Sequence, residues 1–471
     1  MEEYGQDCKV FTLSRDFTHH DCHAWSTIAF ANYNVEPVKD GTFIIVADGF
    51  GNFGEVLSIY SVSKFGMPYV DKKCFGYGSS LGLFFQYATS YLGLKENQDE
   101  YKLLGYEAYV IDKERIDTLQ RRAKTQAKKM YKVMSSTGTF LERYDPLIAV
   151  DALPALKLKY LKHFDRVLNS IDLTHKDDLE TRRIYLAYYV QQVVEEVMLL
   201  VVAFIRPKQL LVAGGLFLNV KLNNKLSTLV DKLCIMPLAG DQGAALGLYQ
   251  ALNLDLRWPG HLNWGTRTFG LLDIKHQWNY TDPTKYIVRS EREALHIMIP
   301  LLKKDYIVNL IRGDMEFGSR ALCNTSTLAN PTKENVEYIN KCNERSTIMP
   351  MAPVVRQEDA YLYFENIDKI HLSLRYMVCT LDYRRKPVDM MGAAHQYPYS
   401  DRYSGRPQII RDSDKLMDEL LINSKNHMLI NTSFNEHGKP ICYDLSDIKR
   451  CHEFQKGLDK QDRVRTIIMT T

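Results

Sequence analysis

Two stretches near the middle of the chain constrain its fold more than any others. Residues 178–206 read as one long helix that runs directly into Gln209-Leu-Leu-Val-Ala-Gly214-Gly215, an apolar strand closed by a glycine pair. A helix start with Asn219, Asn223 and Asn224 follows. Then Cys234-Ile-Met-Pro-Leu-Ala-Gly240-Asp241-Gln242-Gly243 repeats the order strand, turn, helix. Buried strands that end in glycine before a helix are the unit of α/β folds, and the glycines let backbone approach a nucleotide. The chain is therefore expected to be α/β.

The 471 residues allow two or three domains with proper cores, and 45% hydrophobic with 25% charged residues is an ordinary globular balance. A net charge of +3 does not announce a nucleic-acid binder, nor does it exclude a local basic groove. Nine cysteines without regular spacing suggest reduced thiols in a cytosol. The acidic, polar start Met1-Glu-Glu-Tyr-Gly5 does not read as a signal peptide. The apolar run Val193 to Ile205 carries Glu195 and Glu196, which makes it a core helix and not a membrane span.

The chemistry starts with Thr18-His19-His20-Asp21-Cys22-His23. His19 and His23 are four apart, so a helix over 19–33 puts both imidazoles on one face, the spacing that offers two nitrogens to one metal ion. A chance pair on a solvated helix start is the alternative. Gly41 to Gly51 is an apolar strand ending in Asp48-Gly49-Phe50-Gly51, where the carboxylate would face a phosphate or a metal-bound water; a plain turn is the alternative. Residues 55–63 are its expected hairpin partner. Gly76-Tyr-Gly-Ser-Ser opens a helix over Leu81 to Tyr91. Residues 112–134 place Lys113, Arg115, Arg121, Arg122, Lys124, Lys128, Lys129 and Lys132 on a helix, either as a solvated face or as a polyanion contact.

Around residues 252–285, Trp258-Pro-Gly, Trp264-Gly and Asp282-Pro283 mark a loop-rich boundary, dividing the chain into domains 1–280 and 286–471. In the second, Ile307 to Ile311 is a strand followed by Arg312-Gly-Asp-Met-Glu-Phe-Gly318-Ser-Arg320. Arg345, His395 and Arg406 come later, and then Met428-Leu-Ile-Asn431-Thr432-Ser433-Phe-Asn435. Three arginines near buried turns suggest an anion site, because guanidinium forks grip phosphate or carbamate oxygens in pairs.

Together these segments resemble the ATP-dependent O-carbamoyltransferases of antibiotic and nodulation-factor biosynthesis. His19-His20-x-x-His23-Ala24 resembles their HHxxHA, Asp48-Gly49-x-Gly51 their DGxG and Glu100-Tyr-Lys102-Leu-x-Gly105 their EYKxMG. Ala213-Gly214-Gly215 with Asn219 resembles AGGxxxN, and Gly240-Asp241-x-Gly243 resembles GDxG. Further on, Gly313 to Leu322 resembles GRMEFGPRALG, Pro350-x-Ala352-Pro353 resembles RPFAP, and Asn431 to Asn435 with Gly438 and Pro440 resembles LNTSFNxxGxPI.

The resemblance implies an actin/heat-shock-ATPase-like domain followed by a YrdC-like one. The second would take the carbamoyl group from carbamoyl phosphate and activate it with ATP as carbamoyl-adenylate. The first would pass it to an acceptor hydroxyl. Ferrous iron is implied at His19, His23 and Asp241, and catalytic roles at His20 and Arg320. The implied nucleotide and donor contacts are Asp48, Gly49, Gly51, Lys102, Gly214, Gly215 and Asn219, with Arg345, His395, Arg406, Asn431, Thr432, Ser433 and Asn435 in the second half.

The chain departs from the family in three places. It lacks an opening strand block with an HDG loop, which a separate polypeptide could supply. Thr325 replaces one basic residue, and Met349 replaces the arginine of RPFAP. The residues do not name the acceptor. Relatives act on sugar hydroxyls of natural products, and virus-borne ones on hydroxymethyl pyrimidines in DNA. The reduced N-terminus and the Lys/Tyr/Asn-rich, Ala-poor composition favour a viral setting in a host cytoplasm, where the basic helix at 112–134 would suit a DNA acceptor. A non-catalytic nucleotide-binding partner subunit and threonylcarbamoyl transfer to tRNA are the competing readings.

Overall fold

The computed structural model describes residues 17–34, 38, 40–136, 146–253, 258, 260–267, 278, 281–345, 350–370, 373–411 and 413–470. Met349 and much of the expected boundary at 252–285 lie outside them. The chain is α/β. In the first half, helix α1 (His19–Asn34) leads to strands β1 (Phe43–Ala47), β2 (Glu55–Val62) and β3 (Pro68–Phe75). Helices α2 (Leu81–Tyr91), α3 (Glu100–Tyr106), α4 (Lys113–Ser136), α5 (Pro146–Asn169) and α6 (Leu179–Ile205) follow. Then β4 (Gln209–Ala213), α7 (Val220–Ser227), β5 (Lys232–Ile235) and α8 (Ala244–Asn253) close the unit.

The five strands form one sheet in the order β3-β2-β1-β4-β5. β1 pairs antiparallel with β2 and parallel with β4, as β4 does with β5. β1 reads Phe-Ile-Ile-Val-Ala because both faces of a central strand are covered. Ile44 and Val46 pack with Ala24 and Ile28 of α1, while Ile45 and Ala47 join the main core on the other side. The expected hairpin exists, but the sequence reading did not register β3, an edge strand whose exposed positions are Tyr69, Val70 and Asp71 and which carries Lys72 and Lys73 after them.

α6 is long and apolar enough, by length and composition, to cross a membrane, yet 56% of its most apolar window is buried inside the protein. It packs on α4 and α3, the core placement that its two glutamates suggested.

In the second half, β6 (Asn263–Gly265) pairs with β9 (Met315–Glu316). A seven-stranded sheet contains β7 (Lys285–Val288), β8 (Ile307–Ile311), β10 (Thr325–Ala329), β11 (Ala352–Val355), β15 (Gln408–Ile409), β16 (Met428–Ser433) and β17 (Val464–Met469). Its order is β15-β11-β16-β10-β8-β17-β7. A small sheet, β12 (Leu381–Asp382), β14 (Tyr403–Gly405) and β13 (His395–Gln396), lies apart from it.

One glycine fixes the position of α1. A Cβ on Gly247 of α8 would fall 1.6 Å from the Cys22 carbonyl oxygen and 2.9 Å from the Ser26 nitrogen, so α8 rests directly on the backbone of α1. This brings the first turn of α1, with its histidines, beside the turn that opens α8, where Asp241 sits.

Candidate active site

The start of α1 is held from several directions. The Thr18 amide donates to Asp21 Oδ2 (2.7 Å), and the His19 amide donates to Asn52 Oδ1 (2.7 Å). Tyr60 donates to Asp21 Oδ1 (2.8 Å), and Lys73 lies 3.0 Å from Asp21 and 2.9 Å from the fully buried Glu55. These ties set the helix register, and the register sets the imidazoles.

His19 and His23 turn their Nε2 atoms toward each other at 3.0 Å. His19 Nε2 lies 3.1 Å from Asp241 Oδ1 and 3.4 Å from Asp48 Oδ2. His23 Nε2 lies 3.4 Å from Asp48 Oδ2 and 3.7 Å from Asp241 Oδ1. The spacing of the histidines and the position of Asp241 thus come together in one cluster, and Asp48 joins as a fourth donor that sequence reasoning placed on a phosphate or a metal-bound water. The signal was present, since Asp48 ends a buried strand. What aims it is local: the Gly49 amide donates to Asp48 Oδ1 (2.7 Å), which leaves Oδ2 for the imidazoles. Glycines make the room, for a Cβ on Gly215 would sit 2.9 Å from Asp48 Oδ1 and one on Gly214 2.2 Å from the Ala47 carbonyl oxygen. Gly214 also has φ +94°, a conformation only glycine adopts freely.

The four donor atoms all lie within 4.8 Å of one another. Two nitrogens and two carboxylate oxygens suit a divalent transition metal. With one proton between them the facing Nε2 atoms share a hydrogen bond, and with none a cation can take both lone pairs. The charge also fits, because one divalent cation matches the two carboxylates, as two imidazolium protons do. The donor set therefore fits a metal held by His19, His23, Asp48 and Asp241. The side chain of Asp241 is 79% exposed while that of His23 is fully buried, so the cluster opens to solvent on the Asp241 side.

Without metal the same atoms hold protons. Hydrogen bonds that His19 donates to Asp241 and then to Asp48 raise it to about 9. For His23 burial acts to lower the pKa, but the same two carboxylates outweigh it and raise it. Asp48 is held well below the usual carboxylate range: burial opposes this, and the bonds to His19 and His23 override it. A group raised in the folded state stabilises it fully below its ordinary pKa, near 6.5, and loses that effect as pH climbs through the folded value. The metal-free protein is therefore expected to lose thermal stability between pH 6.5 and about 9, the interval set by His19. A divalent cation should abolish that loss, because it replaces the protons it competes with. Melting curves with chelator and with added metal across this interval check it.

His20 is completely buried, with Nδ1 2.8 Å from Ser58 Oγ and Nε2 without a partner. Burial first of all keeps its pKa well below the ordinary value, so it is a neutral imidazole. Nε2 faces the Gly51 loop, where a Cβ on Gly51 would come within 3.2 Å of it. Three other assignments, two in the first half and one in the second, fall elsewhere. Asn219 caps α7, accepting from the Leu222 amide (3.0 Å), and bonds Gln191, so its side chain is spent on the helix end. Lys102 pairs with Asp99 (2.9 Å) and faces His437 of the second half. His395 does not join the arginines either. Its Nε2 lies 3.2 Å from the Gly105 carbonyl oxygen, which ties the small sheet to α3.

The remaining second-half residues converge. Arg345 donates to Thr432 Oγ1 (2.6 Å), Ser433 Oγ (3.2 Å) and Asn435 Oδ1 (3.2 Å). Asn431 donates to the carbonyl of Ala321, next to Arg320, and to Gln408, two residues beyond Arg406 (both 2.8 Å). Glu316 shapes this turn by accepting from the amides of Leu322, Asn324 and Thr325. The nearby Arg312 is compensated by a two-pronged pair with Asp414. Arg320 and Arg406 have no carboxylate partner among the described residues. Burial lowers Arg320 to about 10, and burial together with repulsion from Arg320 lowers Arg406 to about 9. Arg320 Nε is buried without any hydrogen bond. Both side chains are half-buried, and two partly desolvated cations without a carboxylate are costly, a cost that an anion between them relieves. The sequence reading also missed Arg267, which donates to Thr325 Oγ1 (2.6 Å) and so sets a guanidinium at the position where the family's basic residue is lost.

The turns that carry the two clusters touch. Gly318 has φ +111°, and a Cβ there would meet Leu238 Cδ2 at 2.6 Å, so the Arg320 turn lies on the loop that carries Asp241.

Family models described as Carbamoyltransferase N-terminus and Carbamoyltransferase C-terminus match residues 2–249 and 299–460. The chain belongs to the carbamoyltransferase family. This carbamoyltransferase is 26% identical to nodulation protein NolO of Bradyrhizobium diazoefficiens over 452 residues, 91% of its own chain and 74% of that relative. It is 27% identical over 384 residues to an uncharacterised protein of Methanocaldococcus jannaschii, 78% of its chain and 68% of that one. It is also 27% identical to the 3'-hydroxymethylcephem-O-carbamoyltransferase of Amycolatopsis lactamdurans, over 51% of its chain and 45% of that enzyme. Among solved structures, Sua5 of P. abyssi aligns with 40% of the carbamoyltransferase and 52% of its own chain at 14% identity, with a TM-score of 0.28, too low to bear on the fold.

Proposed function

We propose that this carbamoyltransferase works in two ATP-dependent stages and delivers its carbamoyl group to a hydroxyl, specifically the hydroxymethyl group of a modified pyrimidine in DNA. Residues 286–471 would activate the group and residues 1–280 would transfer it. Carbamoyl phosphate loses phosphate to water and gives carbamate. The carbamate oxygen attacks the α-phosphorus of ATP, forming carbamoyl-adenylate and releasing pyrophosphate. The acceptor hydroxyl then attacks the carbamoyl carbon, AMP leaves with the bonding pair, and the hydroxyl proton departs.

The observation that carries this reading is the contact of the Arg320 turn with the Asp241 loop, which supports a donor-anion role for the half-buried Arg320 and Arg406 near the imidazole–carboxylate cluster. Arg320 and Arg406 would neutralise the oxygens of the donor, and Arg345 with Thr432, Ser433 and Asn435 would hold its phosphates. His19, His23, Asp48 and Asp241 would hold ferrous iron or another divalent metal, which when bound supplies Lewis acidity toward the donor's oxygens. His20 has a partnerless Nε2 facing the Gly51 loop and would be the nearest imidazole to take the acceptor's proton, although burial makes it a weaker base than a free imidazole.

The test supplies carbamoyl phosphate, ATP and ferrous iron with hydroxymethylcytosine DNA, and in parallel with an aminoglycoside. The expected result is pyrophosphate release and a gain of about 43 Da on the DNA, the mass of a carbamoyl group replacing a proton. A gain on the aminoglycoside alone would move the acceptor to a sugar hydroxyl. No nucleotide turnover at all would sink the two-stage reading in favour of a binding subunit.

A further inference from the structure

α4 separates its residue types by face. Ile116, Leu119, Ala123, Ala127, Met130 and Met134 are buried, a stripe at helical spacing that α4 commits to the core. Along the exposed side, Arg121, Lys124, Lys128 and Lys132 form one ridge, and Arg122 and Lys129 form the next. None of these six makes an ion pair with a carboxylate among the described residues, and Arg121 only folds back on its own helix, to the Asp117 carbonyl and Thr118 Oγ1. Between α4 and α5 runs a groove of about 400 Å³. Arg122 and Lys129 line it from α4, and His163 lies on its α5 side. All of this stands in a chain whose net charge is only +3, so the positive charge is concentrated on this face and balanced elsewhere.

Arg166 of α5 adds a third cation. With Lys129 and Arg122 it acts on the same imidazole, which burial first and these cations next lower to about 4. His163 thus stays neutral, its Nε2 lying 2.8 Å from the Tyr189 hydroxyl. The groove wall also connects to the metal-type cluster. Tyr160, one turn before His163, donates to the Gly78 carbonyl (2.8 Å), and Ser80 donates to the carbonyl of Gly49, the residue after Asp48 (2.5 Å).

We infer that the groove between α4 and α5, flanked by the unpaired cations of α4, is a track for the phosphodiester backbone of duplex nucleic acid that leads toward the Asp48 loop. Arg121 to Lys132 spans about 16 Å at 1.5 Å per residue, enough to follow several phosphates of one strand. An anionic membrane surface fits less well, because a helix that lies in a membrane needs a free apolar face and α4 has buried its own. The inference deepens the DNA-acceptor reading and rests on it for the class of polyanion.

The test is fluorescence anisotropy of duplex DNA over a salt series, with the full chain and with a variant carrying Arg122→Gln, Lys129→Gln and Arg166→Gln. The wild type should bind with a steep salt dependence. The variant should bind at least about tenfold more weakly, with a slope lower by about 0.9 for each phosphate that the missing cations no longer neutralise. Its pyrophosphate release should match the wild type, since none of the three residues touches either cluster. Equal DNA binding by the two proteins overturns the inference, and so does binding to phosphatidylserine vesicles with none to DNA. Failure of the two-stage reading would look different: no pyrophosphate release, with DNA binding and its weakening in the variant intact, which supports the track.

Discussion

Asp48→Asn is expected to empty the imidazole–carboxylate cluster of metal and to slow carbamoyl transfer by about a thousandfold or more, a loss of several kcal/mol of transition-state stabilisation. The substitution keeps the shape of the side chain and an oxygen for the Gly49 amide. What it removes is one of the two negative charges facing His19 and His23. A divalent cation would then sit among two imidazoles and a single, solvent-exposed carboxylate, with its charge only half matched. Metal content by mass spectrometry and transfer rate should fall together. Pyrophosphate release without acceptor, which the second half would carry, should persist. Retained metal with an unchanged transfer rate would remove Asp48 from the cluster's work.

Arg406→Met and Arg320→Met should separate function from stability. Each side chain is a half-buried cation with no carboxylate to answer it among the described residues, unlike Arg312, whose charge meets Asp414. An apolar side chain of similar length removes that strain, so the melting temperature should hold or rise. ATP-dependent pyrophosphate release should fall about 10²–10³-fold, the range typical of losing one preorganised charge at a reacting anion. Thermal unfolding and a pyrophosphate assay on the same preparations read both quantities. A lower melting temperature with undiminished turnover would make the arginines structural.

The α/β class was legible because apolar strands, glycine turns and long helices follow each other without interruption. The pairing of His19 with His23 was legible by spacing and their link to Asp241 by resemblance, although only the helix crossing at Gly247 brings them together. Asp48 was legible as a strand-end carboxylate but not as a donor, because which of its oxygens faces inward depends on the Gly49 amide. Asn219 illustrates the reverse failure. Asparagine is favoured at helix N-caps for the same hydrogen-bonding capacity that suits it to a ligand, and one chain does not say which use prevails. His395 and Arg267 reach their partners across long sequence separations, Gly105 for the first and Thr325 for the second, and no local pattern encodes such distances.

The seat of Gly318 against Leu238 bears on timing. A mixed anhydride of carbamate and AMP decays in water, so any route through bulk solvent would waste ATP. If the two proposed stages run at these two turns, the unstable species would cross little more than the width of a loop, and hydrolysis would have little opportunity to compete.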